Sequence, residues 1–151
     1  MLETFQAGLS WNTVLQKREN FRAAFCGFDP HRVAAFTPDD QARLMENAGI
    51  IRSRAKIAAT IANAQAWLAM HNAGEDFAAF AWGMVHAAQA HERGTGLEAQ
   101  TPLSGRVAKA LKHKGFRFVG STTAQAWMQA VGMLDGHEAA CFCYRGASSR
   151  P

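Results

Sequence analysis

Two cap-and-proline pairs, Asp29-Pro30 and Thr37-Pro38, do more than any other feature to limit what this chain can fold into. Asp and Thr side chains accept hydrogen bonds from the N–H groups that open a helix, and proline suits the first helical position, where no N–H is needed. Each pair therefore starts a helix and rules out a central strand through the same residues. Asp39 and Asp40 follow the second pair, in the first turn, where the positive end of the helix dipole favours acids. The first pair predicts a short helix through Phe36, and the second a helix to about Ala48, stopped by Gly49.

The rest of the chain also repeats at helical spacing. Residues 10–26 set Trp11, Val14, Leu15, Phe21 and Phe25 on one face, with Ser10 as N-cap. A helix from about Arg52 to Asn72 carries Ile57, Ile61, Ala64 and Leu68 inward. A shorter one covers Asp76 to Val85. Residues 86–102, with Gly94, Gly96 and Pro102, lack periodicity and read as the longest loop. Ser104 is placed to cap a basic helix ending at Gly115, and a last helix spans Thr122 to Leu134 with Ala124, Trp127, Met128 and Val131 inward. Phe116 to Val119 allows a short extended stretch. With strand signals this sparse, the expected class is all-α, as one domain over 1–151.

With 48% hydrophobic and 19% charged residues, the 151-residue chain has the composition of an ordinary globular protein. No apolar run approaches the ~20 residues that cross a membrane. The first residues lack the basic-then-apolar pattern of a signal peptide, so a cytoplasmic protein with no membrane partner is expected, acting as a monomer. The odd cysteine count, Cys26, Cys141 and Cys143, argues against a disulfide framework and leaves metal ligation or burial. Cys26, in an apolar helical stretch, reads as a small core residue.

Charge is unevenly spread. Arg106, Lys109, Lys112, Lys114 and Arg117 fall within 103–121 without an acid, and they exceed the whole net charge of +4. Such a stripe suits a phosphate backbone, although a solvated helix face would look the same. The helix, turn, helix unit at 38–72 points the same way. Its connection, Ala48-Gly49-Ile50-Ile51-Arg52, leads into Arg54 and Lys56. In a helix-hairpin-helix, backbone amides and the second helix's N-terminus receive a phosphate, glycine lets the backbone approach or take positive φ, and the apolar pair anchors the turn. Any antiparallel helix pair with a glycine cap shares this spacing. The basic residues after the turn favour DNA.

Several stretches together resemble the DNA-3-methyladenine glycosylase I family. They are Gln6-Ala7-Gly8-Leu9-Ser10-Trp11, Thr13-Val14-Leu15, Lys17-Arg18-Glu19, the Ala48 to Arg52 turn, Lys56-Ile57, Gly115-Phe116, Phe118-Val119-Gly120 and Met128-Gln129-Ala130 with Gly132. The resemblance runs in order from about Glu3 to Tyr144. It implies a helix-hairpin-helix glycosylase fold, a bound zinc ion, and hydrolysis of the N-glycosidic bond of alkylated purines, here 3-methyladenine in double-stranded DNA. Taken alone, Glu3 would read as a solvated residue near a terminus and Trp11 as a core aromatic. The resemblance makes Glu3 the acid of the base pocket and Trp11 the stacking aromatic, with Gly8-Leu9 as the wedge that fills the gap left by a flipped nucleotide. Gly49, Ile50, Arg52, Arg54, Lys56, Lys112 and Lys114 become its DNA contacts.

His137 and Cys141, four apart, could share one ion. Alone that spacing is weak, but it falls where the resemblance implies two of four zinc ligands, within a C-terminal segment at 137–151. The family's remaining ligands, a cysteine and a histidine, lie in a segment before the position of Glu3 that has no counterpart here, so the fold is expected to be N-terminally shortened. Gln125-Ala126 and Asp135-Gly136 also depart from the family pattern. No lysine occupies a nucleophile position in the resemblance, so a monofunctional enzyme using water is expected. The competing expectation is a shortened relative that binds DNA without excising a base.

Overall fold

The computed structural model describes residues 1–88, 98–138 and 140–143. Among these there are helices and no strand. None of the helices is long and apolar enough to cross a membrane. Helices α1 (Leu2–Gln6), α2 (Trp11–Gln16), α3 (Arg18–Ala24), α4 (Pro30–Ala34), α5 (Pro38–Glu46), α6 (Arg54–Asn72), α7 (Phe77–His86), α8 (Pro102–His113) and α9 (Ser121–Ala130) follow in order. They gather into two compact units. One comprises Met1–Phe77 with Leu111–Val119, the other Ala78–Ala110 with Gly120–Pro151.

The first unit is organised around aromatic rings. Phe5, Phe21 and Phe25 are completely buried, and the Phe5 ring lies 4.6 Å from that of Phe21 and 6.2 Å from that of Phe25. Val33, Leu44, Ile50, Ile57 and Ile61 complete the same cluster, so α1, α3, α4, α5, the hairpin turn and α6 share one core. Burying a phenylalanine contributes about 1.5–3 kcal/mol each. The two cap-and-proline pairs work as read. The Asp29 carboxylate accepts from the N–H of His31 and Arg32, and Thr37 with Asp40 closes a reciprocal capping box.

The expected helix over 10–26 is instead two helices, broken at Lys17 (φ −98, ψ 3). The break turns Val14, Phe21 and Phe25 inward while Trp11 and Leu15 stay exposed, so the predicted five-residue apolar face divides. Ser10 does cap α2, its hydroxyl accepting from the N–H of Thr13. Helix α5 stops at Glu46, before Ala48, because Asn47 turns extended and its side chain accepts the N–H of Gly49 at 2.8 Å. Helix α6 starts at Arg54 rather than Arg52, with Ser53 as its cap. It packs against both α4 and α5, so its buried surface widens to Ala59, Thr60, Ala66 and Met70, while Leu68 is only half-buried. Cys26 is half-buried in a 3-10 turn, at φ 53, and is not a core residue.

In the second unit, Thr101 and not Ser104 caps α8. The Ser104 N–H donates to the Thr101 hydroxyl at 3.1 Å, and the Thr101 N–H donates to the Ser104 hydroxyl at 2.9 Å. Pro102, read as loop, is the first residue of that helix. His86, also read as loop, ends α7; residues 87–88 and 98–101 of the predicted loop are non-helical, and 89–97 lie outside the described residues, as do 144–151 of the C-terminal segment. Helix α9 ends at Ala130, which leaves Val131 exposed and Trp127 half-buried; Gln125 is buried instead, accepting the Thr101 hydroxyl at 3.0 Å. In the first unit, Phe118 takes φ 56, so the extended stretch expected at 116–119 does not form.

The aromatic cluster sets a clear expectation for stability. Phe21→Ala lowers the unfolding free energy by about 3–5 kcal/mol, measured as a reduced urea midpoint at unchanged slope.

Candidate functional site

Glu3, Gly8, Leu9 and Trp11 lie on consecutive pieces of one short segment. Helix α1 carries Glu3, the turn holds Gly8 and Leu9, and α2 opens on Trp11. Phe5, two residues after Glu3, is completely buried, which fixes α1 against the core and leaves Glu3 half-buried at its edge. Burial pushes the Glu3 carboxyl above its ordinary range. Among the described residues no hydrogen bond or ion pair reaches that carboxylate.

At Gly8 the backbone reaches φ 81, a left-handed conformation that favours glycine, and it swings the chain out so that Leu9 projects. The Leu9 N–H closes the turn on the Gln6 carbonyl at 2.7 Å. Leu9 is 41% exposed and Trp11 37%, large apolar surface that core packing does not explain. Leu15, one turn beyond Trp11 and equally exposed, adds to this surface, although the sequence spacing sets it on one face with Phe21 and Phe25.

The helix-hairpin-helix forms between α5 and α6. Ile50 is buried in the aromatic core and Ile51 packs against it, as the anchoring role requires. Gly49 has no positive φ, contrary to one of the two reasons offered for it. Its requirement is steric: a Cβ there would lie 3.0 Å from Asn47 Oδ1 and 3.1 Å from Asn20 Cγ. Among the described residues nothing pairs with the N–H groups of Ile51 and Arg52, just ahead of the capped N-terminus of α6. Arg52 and Arg54 are exposed beside them. Free amides, a helix N-terminus and two guanidinium groups make an anion-binding surface.

Two lysines behave differently from this reading. Lys56 is half-buried, and its ammonium donates to the carbonyls of Phe5 at 3.0 Å and Ala7 at 2.6 Å, with burial pulling it below the ordinary lysine range. Lys114 pairs with Glu75. Lys112 is exposed, as are Arg106, Lys109 and Arg117, although the basic segment divides between the two units at Ala110. Sequence reasoning missed Lys17, whose ammonium donates to the carbonyls of Ala48 at 3.0 Å and Gly49 at 3.4 Å. It also missed Asn47, although an Asn two residues before a glycine is a known signal for a side-chain-closed turn.

His137 Nδ1 and Cys141 Sγ, in the second unit, lie 3.6 Å apart. Tetrahedral zinc with its usual N and S bond lengths would separate such atoms by about 3.5 Å, so the pair fits one edge of a zinc site. Among the described residues no third His, Cys, Asp or Glu joins them, and the fit is to half a site. Cys143 is exposed nearby in the chain.

The Glu3 carboxyl holds its proton more tightly folded than unfolded. Its ionisation therefore costs stability, absent below the ordinary glutamate range and incurred as pH rises through the raised folded value. Glu3→Gln removes that cost, so the variant should melt above the parent at neutral pH, with the difference vanishing in acid; thermal melts across pH 3–8 check it.

Comparison with known proteins places the chain in a family. The sequence pattern of the methyladenine glycosylase family matches residues 1–144. The chain is 49% identical over 148 residues to DNA-3-methyladenine glycosylase 1 of Escherichia coli (strain K12), covering 96% of this chain and 79% of that protein. It superposes on a crystal structure of 3-methyladenine DNA glycosylase I with TM-score 0.87 and 50% identity, over 95% of this chain and 80% of the other. A 3-methyladenine DNA glycosylase I from Staphylococcus aureus, solved to give the structural basis of 3-methyladenine recognition, follows at TM-score 0.83 and 34% identity, over 93% and 76%. With its hairpin, its left-handed turn and nearly its full length matched, the chain belongs to the methyladenine glycosylase family.

Proposed function

We propose that this chain is a monofunctional 3-methyladenine DNA glycosylase, acting as a monomer on double-stranded DNA. The half-buried Glu3 carboxyl, raised by burial more than the Met1 ammonium lowers it and lying in the same segment as exposed Leu9 and Trp11, carries the reading. A charge that burial disfavours needs a countercharge, and N3-methylated adenine is a cation. The hairpin amides with Arg52 and Arg54 hold a backbone phosphate. Leu9 enters the stack as the base leaves it. Trp11 stacks on the extruded ring, worth roughly 1–3 kcal/mol, and Glu3 accepts its hydrogen bonds and complements its charge.

The methylated base is already an activated leaving group, so little acid catalysis is needed. As the glycosidic bond breaks, its electron pair goes to the departing base and neutralises the ring, while water attacks the sugar carbon and loses a proton to solvent. Lys56, with its ammonium on two carbonyls, is not set up as a nucleophile. Borohydride should trap no protein–DNA adduct.

His137 and Cys141 supply two ligands of a zinc site of the family's kind, and bound zinc would act there as a structural cross-link. Cobalt(II) added in place of zinc should give a thiolate-to-metal absorption band that Cys141→Ser abolishes; a band unaffected by that change would remove Cys141 from the metal.

Alkylated duplex should release free 3-methyladenine, and Glu3→Gln should cut the rate by about 100–1,000-fold while remaining folded. No release from folded protein that still binds duplex would leave a DNA-binding member of the family that excises nothing.

A further inference from the structure

Lys56 sits where the sequence suggests a phosphate contact, yet its ammonium is turned away to the end of α1. We propose that Lys56 is a positioning residue, holding the Ala7-Gly8-Leu9 turn in register with the second helix of the hairpin. The inference rests on the glycosylase reading for its effect on excision, though the brace itself is a property of the free protein.

Helix α1 has only five residues, far below the length at which a helix persists by itself. Its C-terminal carbonyls lack intrahelical partners and carry the negative end of the dipole. Ala7 leaves the helix at φ −49, ψ 117, and Gly8 then turns left-handed. Two charge-assisted hydrogen bonds from one ammonium, to the carbonyls of Phe5 and Ala7, bridge that exit. The other end of the brace is equally fixed. Lys56 is in the first turn of α6, and its own N–H donates to the capping Ser53 hydroxyl. Lys17 ties the two segments in the reverse direction, from the α2–α3 break to the hairpin carbonyls. The backbone proposed to seat a phosphate and the turn proposed to enter the base stack are thus joined side chain to main chain, without passing through solvent.

A phosphate contact and a brace predict different losses. In Lys56→Met, single-turnover excision at saturating enzyme should fall about 10–100-fold, the scale of a misplaced reacting group. Affinity for undamaged duplex and its salt dependence should stay at parent values. In the free protein, hydrogen exchange at the Leu9 amide, which is bonded to Gln6, should quicken, with α6 unchanged. Lys56→Arg, which can donate to both carbonyls, should recover most of the rate and the protection. Lys56→Gln, which reaches one carbonyl, should fall between, and it stands in should the methionine variant not fold.

The opposite pattern would overturn the proposal: parent exchange and parent single-turnover rate, but weaker duplex binding with a salt slope reduced by about one. Parent behaviour of Lys56→Gln in exchange and rate would overturn it equally. If the parent protein itself releases no 3-methyladenine, the functional reading fails alone, and exchange at Leu9 still decides the brace.

Discussion

The burial of Phe5 is the contact on which the rest of the site depends. Glu3, Gly8 and Trp11 belong to short helices and a tight turn, none of which would hold a conformation alone. Phe5 packs its ring against both Phe21 and Phe25, which also contact each other, and that same cluster includes Ile50 of the hairpin turn. One core therefore sets both the hairpin turn and the segment from Glu3 to Trp11. Ring packing of this kind is close to all-or-none, since interiors do not deform smoothly. The distance between Glu3 and the hairpin is for this reason a property of the core, and α1 needs no stability of its own.

Hydrophobic packing fixes where α1 lies but not how its end turns out, and there the polar groups take over. Lys17 and Lys56 each place an ammonium on main-chain carbonyls, and Asn47 closes the hairpin turn on the N–H of Gly49. These bonds reach backbone groups that helix ends leave without partners, so each serves two purposes: it satisfies a half-buried polar group and it sets a turn. The steric limit at Gly49 follows from the same closeness, because Asn20 and Asn47 fill the space a side chain would need.

Much of this was legible in the sequence where local chemistry decides. Asp29-Pro30, Thr37-Pro38 and Ser10 start helices as their types require, and Ile50 and Phe21 are buried as their spacing predicts. Reading failed where a long-range partner overrides local preference. Nothing near Lys17 in the chain shows that helix 10–26 breaks there, because the carbonyls its ammonium meets are some thirty residues away. The bonds of Lys56 are hidden for the same reason: a basic residue after a hairpin suggests a DNA contact, and the carbonyls that its ammonium meets lie some fifty residues away. Ser104 reads as a cap only if Pro102 is loop; because the helix opens at Pro102, Thr101 is the cap and Ser104 its reciprocal partner in the first turn. Glu3 and Trp11 carried no signal of their own beyond family resemblance, since a lone acid and a lone tryptophan fit many surroundings.

The half-buried charge of Glu3 gives the proposed reaction a physical basis for selectivity. Burial disfavours both: Lys56 is drawn below the ordinary lysine range although two carbonyls receive its ammonium, and the Glu3 carboxyl is raised although the Met1 ammonium opposes the shift. A neutral adenine offered to that carboxylate would bring hydrogen bonds but no countercharge, and would strip away more water. A cationic methylated base brings both, so the attraction grows as the site closes and the local dielectric falls. The same attraction must weaken once the bond breaks and the base departs neutral. If Glu3 receives the base as proposed, its carboxylate favours the damaged base before cleavage and loosens its hold on the product, and Trp11, whose ring face attracts a cation, biases binding in the same direction.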